Sequence, residues 1–124
     1  MIKTKTFRTA VLAAAVAIPA GAAVAAMPMS DLPMTAEQQW AQTEEGRIMT
    51  SPIAGIENSQ WFDYQGNVLE TKKELSSDLK RATDLEDARD AYGEYAHELK
   101  DNRLDYAEYM AKKGHTVPRV YLEN

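Results

Sequence analysis

The chain has 124 residues, with 14 Lys and Arg against 19 Asp and Glu, two His and no Cys, for a formal charge of −5. That length fits one small soluble domain and excludes several large architectures. Without a cysteine no disulfide can form, so the domain must hold itself by helix packing or by binding to something else.

Residues 1–26 read as a secretory signal peptide. Lys3, Lys5 and Arg8 precede a run of mostly Ala and Val that carries no charge from Thr9 to Ala26. Pro19 and Gly21 break the run. Ala23, Val24 and Ala25 give small residues at signal-peptidase spacing, with Val24 to Ala26 as the alternative, so the expected mature start is Ala26 or Met27. An uncleaved anchor is disfavoured, because an Ala-rich run is only weakly apolar. No Cys is present to acylate, and the lone Arg8 fits the general export route. The expected destination is the periplasm or the medium. Losing Lys3, Lys5 and Arg8 leaves 11 bases against 19 acids, a net of −8. A chain that acidic lacks the basic stripe needed for a phosphate backbone, and it is equally unsuited to an anionic membrane surface. Neither nucleic acid nor, after cleavage, membrane is an expected partner.

Residues 27–35, MPMSDLPMT, form a Met/Pro-rich linker in which two prolines favour extended backbone. The small helical domain expected over 36–124 opens at Thr35, which pairs with Gln38 as a capping box. That short helix carries Trp40 as its apolar anchor, meets Gly46 and ends near Arg47. The following SPIAGIENSQ has no helical period and reads as loop. Trp61, Phe62 and Tyr64 then precede Gln65, Gly66 and Asn67, a turn signal before Val68 and Leu69. The run reads in two ways. It forms a small β-hairpin around 61–69, with the apolar tail 117–122 as a third strand, or its aromatics cap the end of a helical pair, which is the favoured reading.

Thr71 with Glu74 repeats the capping-box pattern, and Leu75, Leu79 and Ala82 predict a helix over 72–81. Thr83 with Glu86 repeats it again. The chain then runs without proline to Lys113, where Gly114 offers a left-handed cap, giving a helix of about 45 Å. The acids Asp84, Glu86 and Asp87 favour a bend at Thr83 over one continuous helix. The expected fold is mainly α: a long C-terminal helix paired with one or two shorter ones and followed by an extended tail.

On the long helix Leu85, Ala88, Tyr92, Tyr95, Leu99, Asn102, Tyr106 and Tyr109 alternate in steps of three and four, a heptad-like seam. Tyrosines are apolar in body and polar at the tip, so the seam suits either packing within the chain or a wet contact with a partner. Asp87, Asp90, Glu94, Glu98, Asp101, Asp105 and Glu108 fall within an arc of about 80°, with Arg89, Lys100 and Arg103 across the seam. Like charges one turn apart repel by a few tenths of a kcal/mol per pair, so a one-signed stripe suits a cation or a basic partner, or else serves to solubilise.

Residues 101–108, DNRLDYAE, resemble the second half of a calcium-binding EF-hand loop, with Leu104, Asp105 and Glu108 at its eighth, ninth and twelfth positions. The first half departs from the pattern. His97 and Leu99 stand where oxygen ligands are needed, and Asn102 replaces the turn glycine. Asp101, Asp105 and Glu108 are therefore candidates for loose Ca²⁺ contact only. Met27, Met29 and Met34 supply soft thioether sulfur suited to Cu(I). His97 and His115 lie in no motif that combines nucleophile, base and orienter, so no catalytic residue and no cofactor is expected.

The expected function is that of an exported, non-catalytic accessory protein. It docks Tyr92, Tyr95, Leu99, Tyr106 and Tyr109, steered by the seven acids, on a protein partner, either a second copy or a larger basic periplasmic protein. The alternative is a metal-binding or buffering protein using the acidic stripe or the methionines.

Overall fold

The computed structural model describes residues 32–124. The expected signal peptide, Met27 and Met29 lie outside them. The unit Met34–Asn124 is built of three helices: α1 Ala36–Glu45, α2 Ser59–Arg81 and α3 Leu85–Lys112. Single 3-10 turns at Ile53–Gly55 and Arg119–Tyr121 complete the secondary structure, and no strand occurs among the described residues. The mainly α fold with a dominant C-terminal helix is as expected.

Thr35 caps α1 through the full box: Gln38 N–H donates to Thr35 Oγ1 at 3.2 Å, and Thr35 N–H donates to Gln38 Oε1 at 2.9 Å. The helix ends at Glu45, two residues earlier than the sequence suggests.

The β-hairpin around 61–69 is not formed, and the helix expected over 72–81 begins thirteen residues earlier, at Ser59. Asn58 accepts the Trp61 N–H at 2.9 Å and starts α2 there. Trp61, Tyr64, Val68 and Thr71 fall at steps of three and four and are all buried. Burial of two large rings on one face outweighs the turn signal of Gln65, Gly66 and Asn67, which merely sit on the exposed side of the helix. Thr71 is consequently an interior residue rather than a cap.

Between α2 and α3 the chain breaks at Ala82, Thr83 and Asp84, as the bend reading expects. Asp84, not Thr83, is the cap: it accepts the Asp87 N–H at 2.8 Å. Asp87 reaches back to accept both the Thr83 N–H at 3.0 Å and its hydroxyl at 2.9 Å. At its other end α3 closes with Gly114 at φ 91°, His115 N–H donating to Met110 O and Gly114 N–H to Ala111 O. That pair of bonds needs a left-handed residue, which glycine supplies without a Cβ clash.

Helix α3 is the spine. α2 runs antiparallel to it, with Trp61 and Tyr64 against Tyr106 and Thr71 against Glu98 and Asn102. α1 runs alongside in the same sense, with Glu37 on Arg89 and Glu44 on Arg103. Packed on two sides, α3 buries Ala91, Tyr95, Ala96, Leu99, Arg103, Tyr106, Ala107 and Met110, a wider face than the heptad seam alone.

The core centres on three rings. Tyr64 and Tyr106 stack at 5.1 Å between centroids, and Trp61 lies 5.9 and 5.8 Å from them. Their hydroxyls fix the connection from α1 to α2, because Tyr64 Oη accepts the Met49 N–H at 3.0 Å and Tyr106 Oη accepts the Ile53 N–H at 2.9 Å. Burial pushes both hydroxyls above their ordinary pKa, so both stay neutral at physiological pH.

Candidate functional site: a carboxylate-lined groove

The charge sorting on α3 has two different structural outcomes. Two of the three bases on its other flank, Arg89 and Arg103, are paired inside the chain. Arg89 donates from Nη2 and Nε to the Glu37 carboxylate at 2.8 and 3.1 Å, which draws the Glu37 carboxyl down to about 2. Arg103 is only 1% exposed and faces Glu44, itself 3% exposed, with Nε and Nη2 donating at 3.2 and 3.3 Å. Its Nη1 donates to the carbonyls of Tyr121 and Glu123 at 2.8 and 2.7 Å.

The acidic flank has no such complement. Asp87, Asp90, Glu94, Asp101, Asp105 and Glu108 are exposed, and Glu98 is half-buried. Where α2 meets this flank it brings Glu70, Glu74 and Asp78, three further acids one turn apart, opposite Glu94, Glu98 and Asp101. A groove of about 330 Å³ lies there, lined by Asn67, Glu70, Thr71, Glu98, Asp101 and Asn102. Its floor is a short relay in which the Thr71 hydroxyl donates to Glu98 Oε2 at 3.2 Å and accepts from Asn102 Nδ2 at 3.3 Å. The Glu98 carboxylate, followed by burial and by Glu70, raises the Glu74 carboxyl above its ordinary 4.5. Two bases touch the cluster from its margins: Arg81 pairs with Asp78, and His97 Nε2 lies 3.3 Å from Asp101.

The residues expected to bind a partner therefore divide. Tyr95, Leu99 and Tyr106 are 4%, 3% and 3% exposed and belong to the chain's own core, so they are not docking anchors. Burial is the first cause raising the Tyr95 hydroxyl, with the Glu45 carboxylate second. Tyr92 and Tyr109 are half-buried and pack against the core edge. The seven acids share one face, as the helical projection requires.

The metal candidates fare differently again. Asp101, Asp105 and Glu108 lie on one uninterrupted helix instead of the loop an EF-hand needs, which removes that resemblance. Among the described residues no group of three or more His, Asp or Glu is placed to hold a metal ion. Met34 is exposed, and its two companions lie outside the described residues. His97 stands on the surface, edge-on to Trp40 at 6.4 Å between centroids.

The sequence pattern uses Glu74 only as the partner of a Thr71 cap and leaves Glu70 ahead of the helix start, so Glu70, Glu74 and Asp78 do not read as one row until α2 runs unbroken through Thr71. Their i, i+4, i+8 spacing matches that of the α3 acids and is the signal that reveals them once α2 is continuous. The chain matches no family model, no curated protein and no solved structure. No helix among the described residues is long and apolar enough to cross a membrane.

Proposed function

We propose that the protein is a small, exported, non-catalytic interaction module that presents the acidic groove between α2 and α3 to a basic protein partner. The observation that carries this reading is the gathering of carboxylates where α2 meets α3: Glu70, Glu98 and Asp101 line the groove, and Glu74 stands near enough to Glu98 for that carboxylate to raise its own carboxyl. A fold does not need two rows of like charge along one helix junction, and it keeps them at a cost in stability that a cationic partner would offset. The basic flank supports the same reading, since α1 uses Arg89 and Arg103 and leaves the acids as the uncompensated surface. The charged, Ala-rich leader pattern of residues 1–26 supports export.

The partner is a Lys- or Arg-rich protein surface that lays its cations along the groove, with the shallow edges of Tyr92 and Tyr109 flanking α3. Attraction of this kind accelerates encounter and weakens as salt rises. A Lys-rich helical peptide tests it. The wild type binds the peptide saturably with strong salt dependence. The Glu74→Gln/Glu98→Gln/Asp101→Asn variant melts higher and loses that binding. Equal binding by both proteins contradicts the reading. A saturable heat on adding Ca²⁺ alone, absent from a NaCl control of matched ionic strength, transfers the groove to the metal-buffering alternative.

A further inference from the structure

The segment after α3 is attached to the helical body in an unusual way. Once His115 has closed the helix, residues 116–123 make few contacts: Val117 and Tyr121 pack against the core, while Pro118, Arg119, Val120, Leu122 and Glu123 are exposed. Among the described residues, the hydrogen bonds joining this segment to the helices are the two from Arg103 Nη1 to the carbonyls of Tyr121 and Glu123. Arg47 adds a long ion pair to Glu123 at 3.9 Å. The segment's other backbone bonds, Tyr121 N–H to Pro118 O and Leu122 N–H to Arg119 O, are internal to it. It is a strap that keeps its own local shape and is held by the Arg103 guanidinium, the packing of Val117 and Tyr121, and the long Arg47–Glu123 pair.

The receiving site does not depend on the strap for its order. Glu44 holds Nε and Nη2 of Arg103 in a forked pair, and Arg47 Nη1 supports Glu44 from the other side at 3.3 Å. Nη1 is thereby aimed outward with its donors fixed. Carbonyl oxygens are the same in every peptide, so recognition at Nη1 needs only a chain of the right path, with the Tyr121 ring setting register. Such a weakly held element opens at lower free energy than the helices it covers. Every other copy of the chain carries a segment that fits.

We propose that the Arg103–Glu44 clasp is a receptor for a peptide segment that carries a single 3-10 turn, filled in one molecule by its own residues 116–123 and exchangeable for the same segment of a second copy. This surface is separate from the acidic groove. Exchange of an identical element between protomers is a low-cost route to association, because the contacts made are those already present in the monomer.

The test uses the full chain and a fluorescent peptide spanning residues 115–124. In the wild type the resident strap competes. Tyr121→Ala in the chain weakens that competitor without touching Arg103 or Glu44, so the peptide binds the variant about ten-fold tighter or more, as expected when an occluded site is freed. The Arg103 Nε–H resonance shifts as the peptide binds, and a peptide carrying Tyr121→Ala loses the gain. Should the Tyr121→Ala chain lose its helical circular dichroism, the same comparison is read on Val117→Ala, which loosens the strap's other contact. No saturable binding to a folded variant, or equal affinity for variant and wild type, overturns the proposal.

Discussion

Arg103 carries a charge where the helical projection shows apolar neighbours, about five turns from Leu85 on the same line of α3. It is tolerated because each of its three nitrogens has an acceptor, in the Glu44 carboxylate or two strap carbonyls. Removing one partner of a buried pair strands the other. Arg103→Met is expected to cost about 3 kcal/mol or more in urea unfolding, whereas the double change Glu44→Leu/Arg103→Met recovers most of that loss. Tyr106→Phe keeps the ring stack and removes only the acceptor of the Ile53 N–H, so it costs about 1–2 kcal/mol by the same measurement. Two carboxyls give opposite pH signatures. Glu37 titrates below its unfolded value, so its contribution is complete above about 4.5 and disappears as pH falls toward about 2; Arg89→Ala abolishes that acid-dependent loss. Glu74 titrates above 4.5 in the folded state, so the stability it contributes is present below that value and is lost as pH rises through its raised pKa. Comparing acid unfolding of Glu74→Gln with the wild type checks that sign.

At the scale of elements, the instructive case is α2. Gly66 sits mid-helix with nothing within 4 Å of where a Cβ would stand. Gly66→Ala should therefore raise stability by about 1 kcal/mol in thermal or chemical melts. A true turn there would be strained by the same change. The caps at Thr35 and Gly114 and the break near Thr83 were legible because each rests on local backbone hydrogen bonding, which residue type alone announces. The start of α2 was not, because Asn58 as a cap and Gly66–Asn67 as a turn are equally good local statements. Only the burial of Trp61 and Tyr64 against Tyr106, far away in sequence, decides between them. For the same reason the acids of α3 were readable as a stripe, but their opposition to Glu70, Glu74 and Asp78 was not. The tyrosine seam was located correctly, but the aromatic pattern alone does not say which of its turns the chain's own helices cover: Tyr95, Leu99 and Tyr106 are in the core, Tyr92 and Tyr109 at its edge.

Across the molecule, α1 and α2 treat the two flanks of α3 differently. α1 answers bases with acids and binds by complementarity. α2 meets acids with more acids and is held there by the aromatic core and the Thr71 relay instead. The residual field is thus concentrated along one junction, where a cationic surface gains most from docking. The most direct test of this account is an NMR titration of the Glu74 side-chain carboxyl, with and without the Lys-rich helical peptide. The account predicts a pKa above the ordinary 4.5 in the free protein and a fall when the peptide binds, as positive charge replaces repulsion from Glu98. A Glu74 titration that is ordinary in the free protein, or unmoved by saturating peptide, contradicts it.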